Sequence, residues 1–256
     1  VIVIVGPSIS NKVMSEKALS SDELRERLEG VRRRIEASAR GAGRDPLEIK
    51  LIAVSKTHPP DVLRRALEAG ATDFGENRVQ EAEAKIPEVG REAARWHLIG
   101  HLQANKARRA VALFDVIHTL DSEALAHRLN RLCAEVGRAT LNVLIQVDLG
   151  GEETKSGAGE EDLEGLVAAV AECERLRLIG LMTLPPYFDD AELVRPYFRR
   201  LRELRDALKE RQAFGTGPGE LSMGMSHDYR IAIEEGATMV RIGTAIFGER
   251  QAATGK

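Results

Sequence analysis

A short apolar run that gives way to a helix, over and over, constrains this chain more than any other feature. Lys50-Leu51-Ile52-Ala53-Val54-Ser55 is nearly continuous in apolar residues, as suits a strand covered on both faces, and Pro60 to Glu68 after it has a helical pattern that stops at Gly70. Further strand candidates stand at Thr72 to Gly75, Trp96 to Ile99, Val116 to Thr119, Leu141 to Val147, Leu178 to Thr183, Leu221 to Met225 and Thr238 to Ile242. Amphipathic stretches lie between them, clearest in Ser122 to Val136, Glu160 to Glu172 and Ala191 to Arg211. About eight strands alternating with helices over about 200 residues is the arithmetic of an α/β chain closed into a single parallel (β/α)8 TIM-type barrel. A doubly wound open sheet is the competing layout; the barrel is preferred because no Gly-rich turn follows the first strand and the count closes at eight.

Ahead of the repeat, Leu24, Leu28, Val31 and Ile35 recur at helical spacing, with Ser21 or Asp22 as the expected cap and Gly41 and Gly43 as the stop. This is an extra N-terminal helix. Residues 1–20 read as an N-terminal extension, since Gly6 to Asn11 has loop composition and Met14 offers an alternative start, and residues 21–256 read as one domain. Gly215 to Gly219 is Gly-rich but precedes a strand, so it is expected as a loop and not as a phosphate cradle.

Charge narrows the function classes. The 256 residues carry 37 Lys plus Arg against 40 Asp plus Glu, a net −3, which argues against a general nucleic-acid binder. Arg195, Arg199, Arg200, Arg202 and Arg205 share a helix with Glu203 and Asp206, the pattern of a solvated face. Val1 to Val5 is too short for a span or a signal core, and no later stretch approaches the roughly 18 apolar residues a span needs, so the chain is expected in the cytoplasm without a membrane partner. Cys133 and Cys173 are too few for a disulfide framework or a zinc site and are expected as buried thiols; no metal is implied.

In such a barrel, chemistry gathers where strands run out into loops. Lys56 follows the first strand candidate, Asn77 the second, His101 the third and Ser226 the seventh, while Arg241, Gly243 and Thr244 come from the eighth. A lysine behind an apolar strand sits where its charged form is disfavoured, and a neutral amine is what a carbonyl needs to form a Schiff base; a rim lysine with its head in water is the alternative. Ser226, Gly243 and Thr244 offer hydroxyl and backbone donors in the loops after the last two strands, where barrels bind phosphate, although the same residues also suit caps and close packing. Arg241, set among Met239, Val240 and Ile242, is costly unless it meets a carboxylate or faces the site.

Six ordered strings carry a resemblance. Leu51 to Lys56, Phe74-Gly75-Glu76-Asn77-Arg78-Val79-Gln80-Glu81, Trp96 to Lys106, Gly180-Leu181-Met182-Thr183, Leu221 to Ser226 and Val240 to Gly248 resemble the pyridoxal phosphate homeostasis protein family, also called the proline synthase co-transcribed homologue family, over about Ser21 to Arg250. The resemblance implies an alanine-racemase-type barrel holding pyridoxal 5′-phosphate as a Schiff base on Lys56. It implies that Ser226, Gly243 and Thr244 hold the phosphate, that Arg241 faces the pyridine nitrogen, that Asn77 lies near the phenolic oxygen and that Met182 belongs to the cofactor site. Asp148 departs from the family pattern, standing where many relatives show Asn.

An arginine at the pyridine nitrogen keeps the ring neutral and a poor electron sink, so carbanion chemistry is discouraged. The expected role is a cofactor carrier in vitamin B6 homeostasis, storing, buffering or delivering the aldehyde to recipient enzymes without strong catalysis of its own, and working as a monomer. A racemase or related amino-acid enzyme is the alternative, with Tyr229 as its candidate second acid among Tyr187, Tyr197 and Tyr229; Tyr229 is expected to pack on the barrel exterior instead. A cofactor-free lyase, with Lys56 attacking a sugar phosphate directly, is the third.

Overall fold

The computed structural model describes residues 19–151 and 156–248. The expectation for residues 1–20 therefore falls almost wholly outside the described residues. Helix α1 (Ser21–Gly41) comes first, followed by β1 (Lys50–Val54), α2 (Pro60–Glu68), β2 (Asp73–Glu76), α3 (Val79–Val89), β3 (Arg95–Leu98), α4 (Ala107–Leu113) and β4 (Val116–Leu120). The second half continues with α5 (Glu123–Glu135), β5 (Leu141–Gln146), α6 (Leu163–Ala171), β6 (Leu176–Met182), α7 (Arg195–Glu210), β7 (Glu220–Ser222), α8 (Tyr229–Glu234), β8 (Met239–Ile242) and α9 (Thr244–Phe247). The eight strands pair in chain order, all parallel, and β8 closes on β1 through Lys50–Met239, Leu51–Val240, Ile52–Arg241 and Ala53–Ile242. The barrel is the expected one.

Apolar residues on the outer face of the strands meet the helices in one continuous core that includes Phe74, Trp96, Leu98, Ile117, Val143 and Leu181. Trp96 stacks on Phe74 with ring centroids 5.4 Å apart, and its indole N–H donates to the Arg91 carbonyl at 3.1 Å. Inside the barrel, Val116, Leu144 and Met182 form a separate small apolar cluster. Polar side chains are buried there as well, His97, His118, Ser222 and Arg241 among them, and they position the site.

Helix α1 lays Leu24, Leu28, Val31, Ile35 and Ala39 against α2, α8 and α9. Its cap is Ser20, and not Ser21 or Asp22 as expected. The Ser20 hydroxyl accepts the Glu23 N–H at 3.2 Å while the Glu23 carboxylate accepts the Ser20 N–H at 2.7 Å, a reciprocal box that fixes the cap three residues before the glutamate. Strand β7 is shorter than the sequence pattern suggests, because Gly224 takes φ +92° and turns the chain against Ala232, where an added Cβ would stand 2.6 Å from the Ala232 methyl. Among the described residues, no helix is long and apolar enough to cross a membrane. Cys133 and Cys173 are both buried and free.

Candidate functional site

Strand register brings most of the predicted residues to one end of the barrel. Lys56, half-buried, follows β1, and Asn77, also half-buried, follows β2, which is joined to β1 by the Ser55 N–H donating to the Gly75 carbonyl at 3.0 Å. Gly243 follows β8 on the other side of β1, so close that an added Cβ would stand 3.2 Å from the Val54 carbonyl oxygen. Thr244 then opens α9, in which the Ile246 and Phe247 N–H groups both donate to the Gly243 carbonyl at 2.9 Å and those of Thr244 and Ala245 precede them at the helix start. Ser226 lies in an exposed turn between β7 and α8, and that turn sits beside β8 because the Arg241 N–H donates to the Gly224 carbonyl at 3.0 Å. Hydroxyls and backbone donors thus converge from two neighbouring loops, the chemistry an oxyanion requires.

Asp228 holds the Ser226 turn together. Its carboxylate accepts the Met225 N–H at 2.6 Å while its own N–H donates to the Met225 carbonyl at 3.1 Å. Burial pushes the Asp228 carboxyl up, and the Met225 hydrogen bond and the charge of Arg241 pull part of the way back.

Arg241 points into the barrel with 3% of its surface exposed. Its Nη1 donates to Ser222 Oγ at 2.7 Å and its Nη2 to the Thr183 carbonyl at 3.0 Å. No carboxylate stands within ion-pair distance of it among the described residues, so the simple structural pairing does not apply. Burial brings the guanidinium down to about 10, against a smaller opposing pull from Asp228. Met182, the last residue of β6, is buried directly before Thr183 and packs on Val116 and Leu144.

The loop that carries Lys56 is held by groups that sequence reasoning passed over. Lys85 Nζ donates to the Ser55 carbonyl at 3.0 Å and to Glu76 at 3.0 Å, and the Ser55 hydroxyl donates to the same Glu76 oxygen at 2.7 Å. One residue beyond Lys56, the Thr57 N–H donates to Glu81 at 3.0 Å, and Thr57 has φ +68°, a conformation costly for a β-branched residue. Lys56 is clamped from both sides. The signal was available: Val79, Ala82, Lys85 and Ile86 are the buried stripe of α3, and a lysine in such a stripe asks for a buried partner.

Gly100 was also overlooked. A Cβ there would stand 2.3 Å from the Asn77 carbonyl oxygen, so the end of β3 can pass behind Asn77 only as glycine. Three further residues lie around this group. His101 is exposed and reaches Asp121 at 3.2 Å through Nδ1. Tyr229 is buried in the helix layer, as expected, while Tyr187 is exposed with its ring centroid 5.4 Å from that of His227.

A cavity of about 1180 Å³ lies at the opposite end of the barrel, lined by Lys50, Asp73, Glu220 and Thr238 from the strand starts together with α1. It does not touch Lys56. A smaller one of about 350 Å³ opens at the Lys56 end, between Asn77, Gly100, His101 and Lys106.

Comparison with known proteins agrees with this fold. The alanine racemase, N-terminal domain family matches residues 26–251. A pyridoxal phosphate homeostasis protein of Aquifex aeolicus is 45% identical over 226 residues, covering 88% of this chain and 98% of its own length. Another, from Escherichia coli K12, is 45% identical over 233 residues, covering 90% of this chain and 97% of its own. The structure of PipY from Synechococcus elongatus with pyridoxal phosphate bound superimposes with a TM-score of 0.76 at 38% identity, covering 88% of this chain and 100% of that one.

Proposed function

We propose, from the premise that this chain belongs to the pyridoxal phosphate homeostasis protein family and shares its alanine racemase N-terminal domain barrel, that it binds pyridoxal 5′-phosphate as a Schiff base on Lys56 and stores, buffers or delivers it. The observation that carries the proposal is Arg241, a buried cation with neutral acceptors only, set on the strand next to the one that presents Lys56. A buried cation in that state suits a ligand whose acceptor atom comes from outside.

The residues fit the cofactor's chemistry. The group supplies an aldehyde, a ring nitrogen, a phenolic oxygen and a phosphate. Lys56 offers the amine that condenses with the aldehyde. Ser226, Thr244 and the backbone of Gly243 and Thr244 offer phosphate donors, Asn77 a side-chain amide for the phenolic oxygen, and Met182 an apolar surface at the base of the site. Arg241 donates to the ring nitrogen and keeps it unprotonated, which withholds the electron sink that amino-acid chemistry needs. The protein is accordingly a carrier, acting in the cytoplasm as a monomer, with cofactor-requiring enzymes as recipients.

The near-visible absorption of the purified protein, before and after borohydride and beside Lys56→Ala, tests this. The wild type is expected to show a band that reduction abolishes and that the variant lacks. A wild type that stays colourless after incubation with the cofactor sinks the proposal. Turnover of an amino acid at ordinary enzymatic rates, lost with Lys56→Ala, sinks the carrier role while leaving the cofactor site standing.

A further inference from the structure

Side-chain hydrogen bonds form an unbroken chain across the inside of the barrel. Arg241 Nη1 lies 2.7 Å from Ser222 Oγ, which lies 2.9 Å from His118 Nδ1; His118 Nε2 lies 2.9 Å from His97 Nδ1, and His97 Nε2 lies 2.9 Å from Asp73 Oδ1. The Thr72 hydroxyl donates to the other Asp73 oxygen at 2.9 Å. The members come from β8, β7, β4, β3 and the first residue of β2, so the chain runs from the Lys56 end to the cavity at the far end, which Asp73 lines. His97, His118 and Ser222 have no exposed surface.

Donor and acceptor bookkeeping fixes every proton. Arginine only donates and an ionised aspartate only accepts, so the two ends set one direction. His97 must present Nε2–H to Asp73, which leaves its Nδ1 as an acceptor. His118 must then present Nε2–H to His97, and its Nδ1 accepts the Ser222 hydroxyl. Ser222, with its proton committed, has only lone pairs to offer Arg241. The reverse order requires a protonated Asp73, yet although burial pushes that carboxyl up, the His97 and Thr72 hydrogen bonds together with the charges of His97 and Lys50 hold it below its ordinary value. A charged imidazole is no better. Burial holds His97 low and His118 well below the usual histidine range, and Lys50, Arg95 and Arg241 surround the pair against the single carboxylate of Asp73.

We propose that Asp73, His97, His118 and Ser222 are positioning residues that lock Arg241 as a fixed donor toward the pyridine nitrogen of the cofactor. The inference rests on the cofactor assignment above. The chain does not conduct protons, because it ends on a guanidinium, which does not release one. Its effect is directional: Ser222 can never turn a proton against Arg241, so the guanidinium keeps one orientation whether or not the site is filled.

The test needs two readouts. In 15N-labelled protein, long-range imidazole correlations are expected to show His97 and His118 as neutral Nε2–H tautomers that do not titrate between about pH 5.5 and 8.5. In the cofactor-loaded protein, Ser222→Ala is expected to weaken pyridoxal phosphate binding about tenfold. It should also move the pH midpoint of the bound cofactor's absorption by about one pH unit. Ser222→Thr should restore both, and Asp73→Asn, at the far end of the barrel, should move the midpoint in the same direction by less.

Either imidazole found as the Nδ1–H tautomer overturns the proposal without any cofactor present. So does cofactor uptake by wild type and Ser222→Ala with the same affinity and midpoint. If Ser222→Ala does not fold, an Asp73→Asn midpoint equal to that of wild type decides against the lock. A wild type that takes up no pyridoxal phosphate overturns the cofactor assignment and this inference together.

Discussion

Lys85 and Arg241 are the two lysine or arginine side chains that the described residues bury, and the barrel treats them in opposite ways. Lys85 lies between the carboxylates of Glu76 and Glu81, with Nζ 3.0 Å from the first and 3.7 Å from the second. Arg241 meets a hydroxyl and a carbonyl, both neutral. A cation neutralised within its own fold is a clasp, and here it fastens the two loops that present Lys56 and Asn77. A cation left with neutral acceptors has its charge still to be matched, which is the condition of a group held for a ligand.

Breaking the clasp should have the largest effect. Lys85→Met removes one partner of a buried ion pair and should cost about 3–5 kcal/mol in urea unfolding, while a Lys85→Met/Glu76→Gln double variant should regain most of it. The pH dependence gives the sign. Burial raises the Glu76 carboxyl above its ordinary value, and Lys85 is the largest influence holding it back. A carboxyl raised in the fold contributes stability that is complete below its unfolded value and is lost as pH climbs through the folded one. Without Lys85 the folded value climbs further, so the gap between variant and wild type should widen as pH rises from the ordinary glutamate range. A gap that is flat with pH would mean that Glu76 does not depend on Lys85.

Gly100→Ala reaches the same loops through shape alone. Its methyl would have to displace the Asn77 backbone, which should cost about 1–3 kcal/mol of stability. It should also weaken cofactor binding, because Asn77 moves while every charge stays in place. A variant that keeps wild-type affinity would remove Asn77 from the site.

How much of this was legible in the sequence follows from what each feature depends on. The barrel was legible because its strands are apolar runs of the right length and number, and the placing of Lys56, Asn77, Ser226 and Thr244 at one end of it because strand ends show in the pattern. Ser20 was one residue from the expected cap, a matter of reading the Ser-x-x-Glu register backward from Glu23. The interior polar chain was not legible. His97 and His118 stood inside recognised strand candidates, yet which way a strand residue faces and which distant strand it meets depend on barrel closure, and Ser222 comes within reach of His118 only across the barrel interior. The clasp failed for a similar reason: Lys85 and Glu76 are neighbours only once α3 packs back on β2.

Arg241→Met is the counterpart of the Lys85 variant and should behave unlike it. Losing the cation leaves the Thr183 carbonyl without its donor, at about 1–3 kcal/mol, but relieves the burial of a charge matched only by neutral groups, a gain of similar size. The unfolding free energy should therefore stay within about 1 kcal/mol of wild type while pyridoxal phosphate affinity falls. A loss as large as that of Lys85→Met would make Arg241 a second clasp and erase the contrast.

Ser226→Ala and Thr244→Ala should change stability least, by no more than about 0.5 kcal/mol, because both side chains are exposed at the mouth of the barrel. Their effect belongs to the ligand. A hydroxyl donating to a phosphate is a hydrogen bond to a charged group, so each variant should weaken pyridoxal 5′-phosphate binding by roughly tenfold. Pyridoxal lacks the phosphate, and its binding should be unaffected by either change. That difference would separate the two halves of the proposed site, in which Arg241 and Lys56 act on the ring and the aldehyde, which both ligands share, and the loops after β7 and β8 act on the phosphate alone. Equal losses for both ligands would mean that the hydroxyls shape the loops and do not touch the anion, and the phosphate would have to be placed elsewhere on the rim.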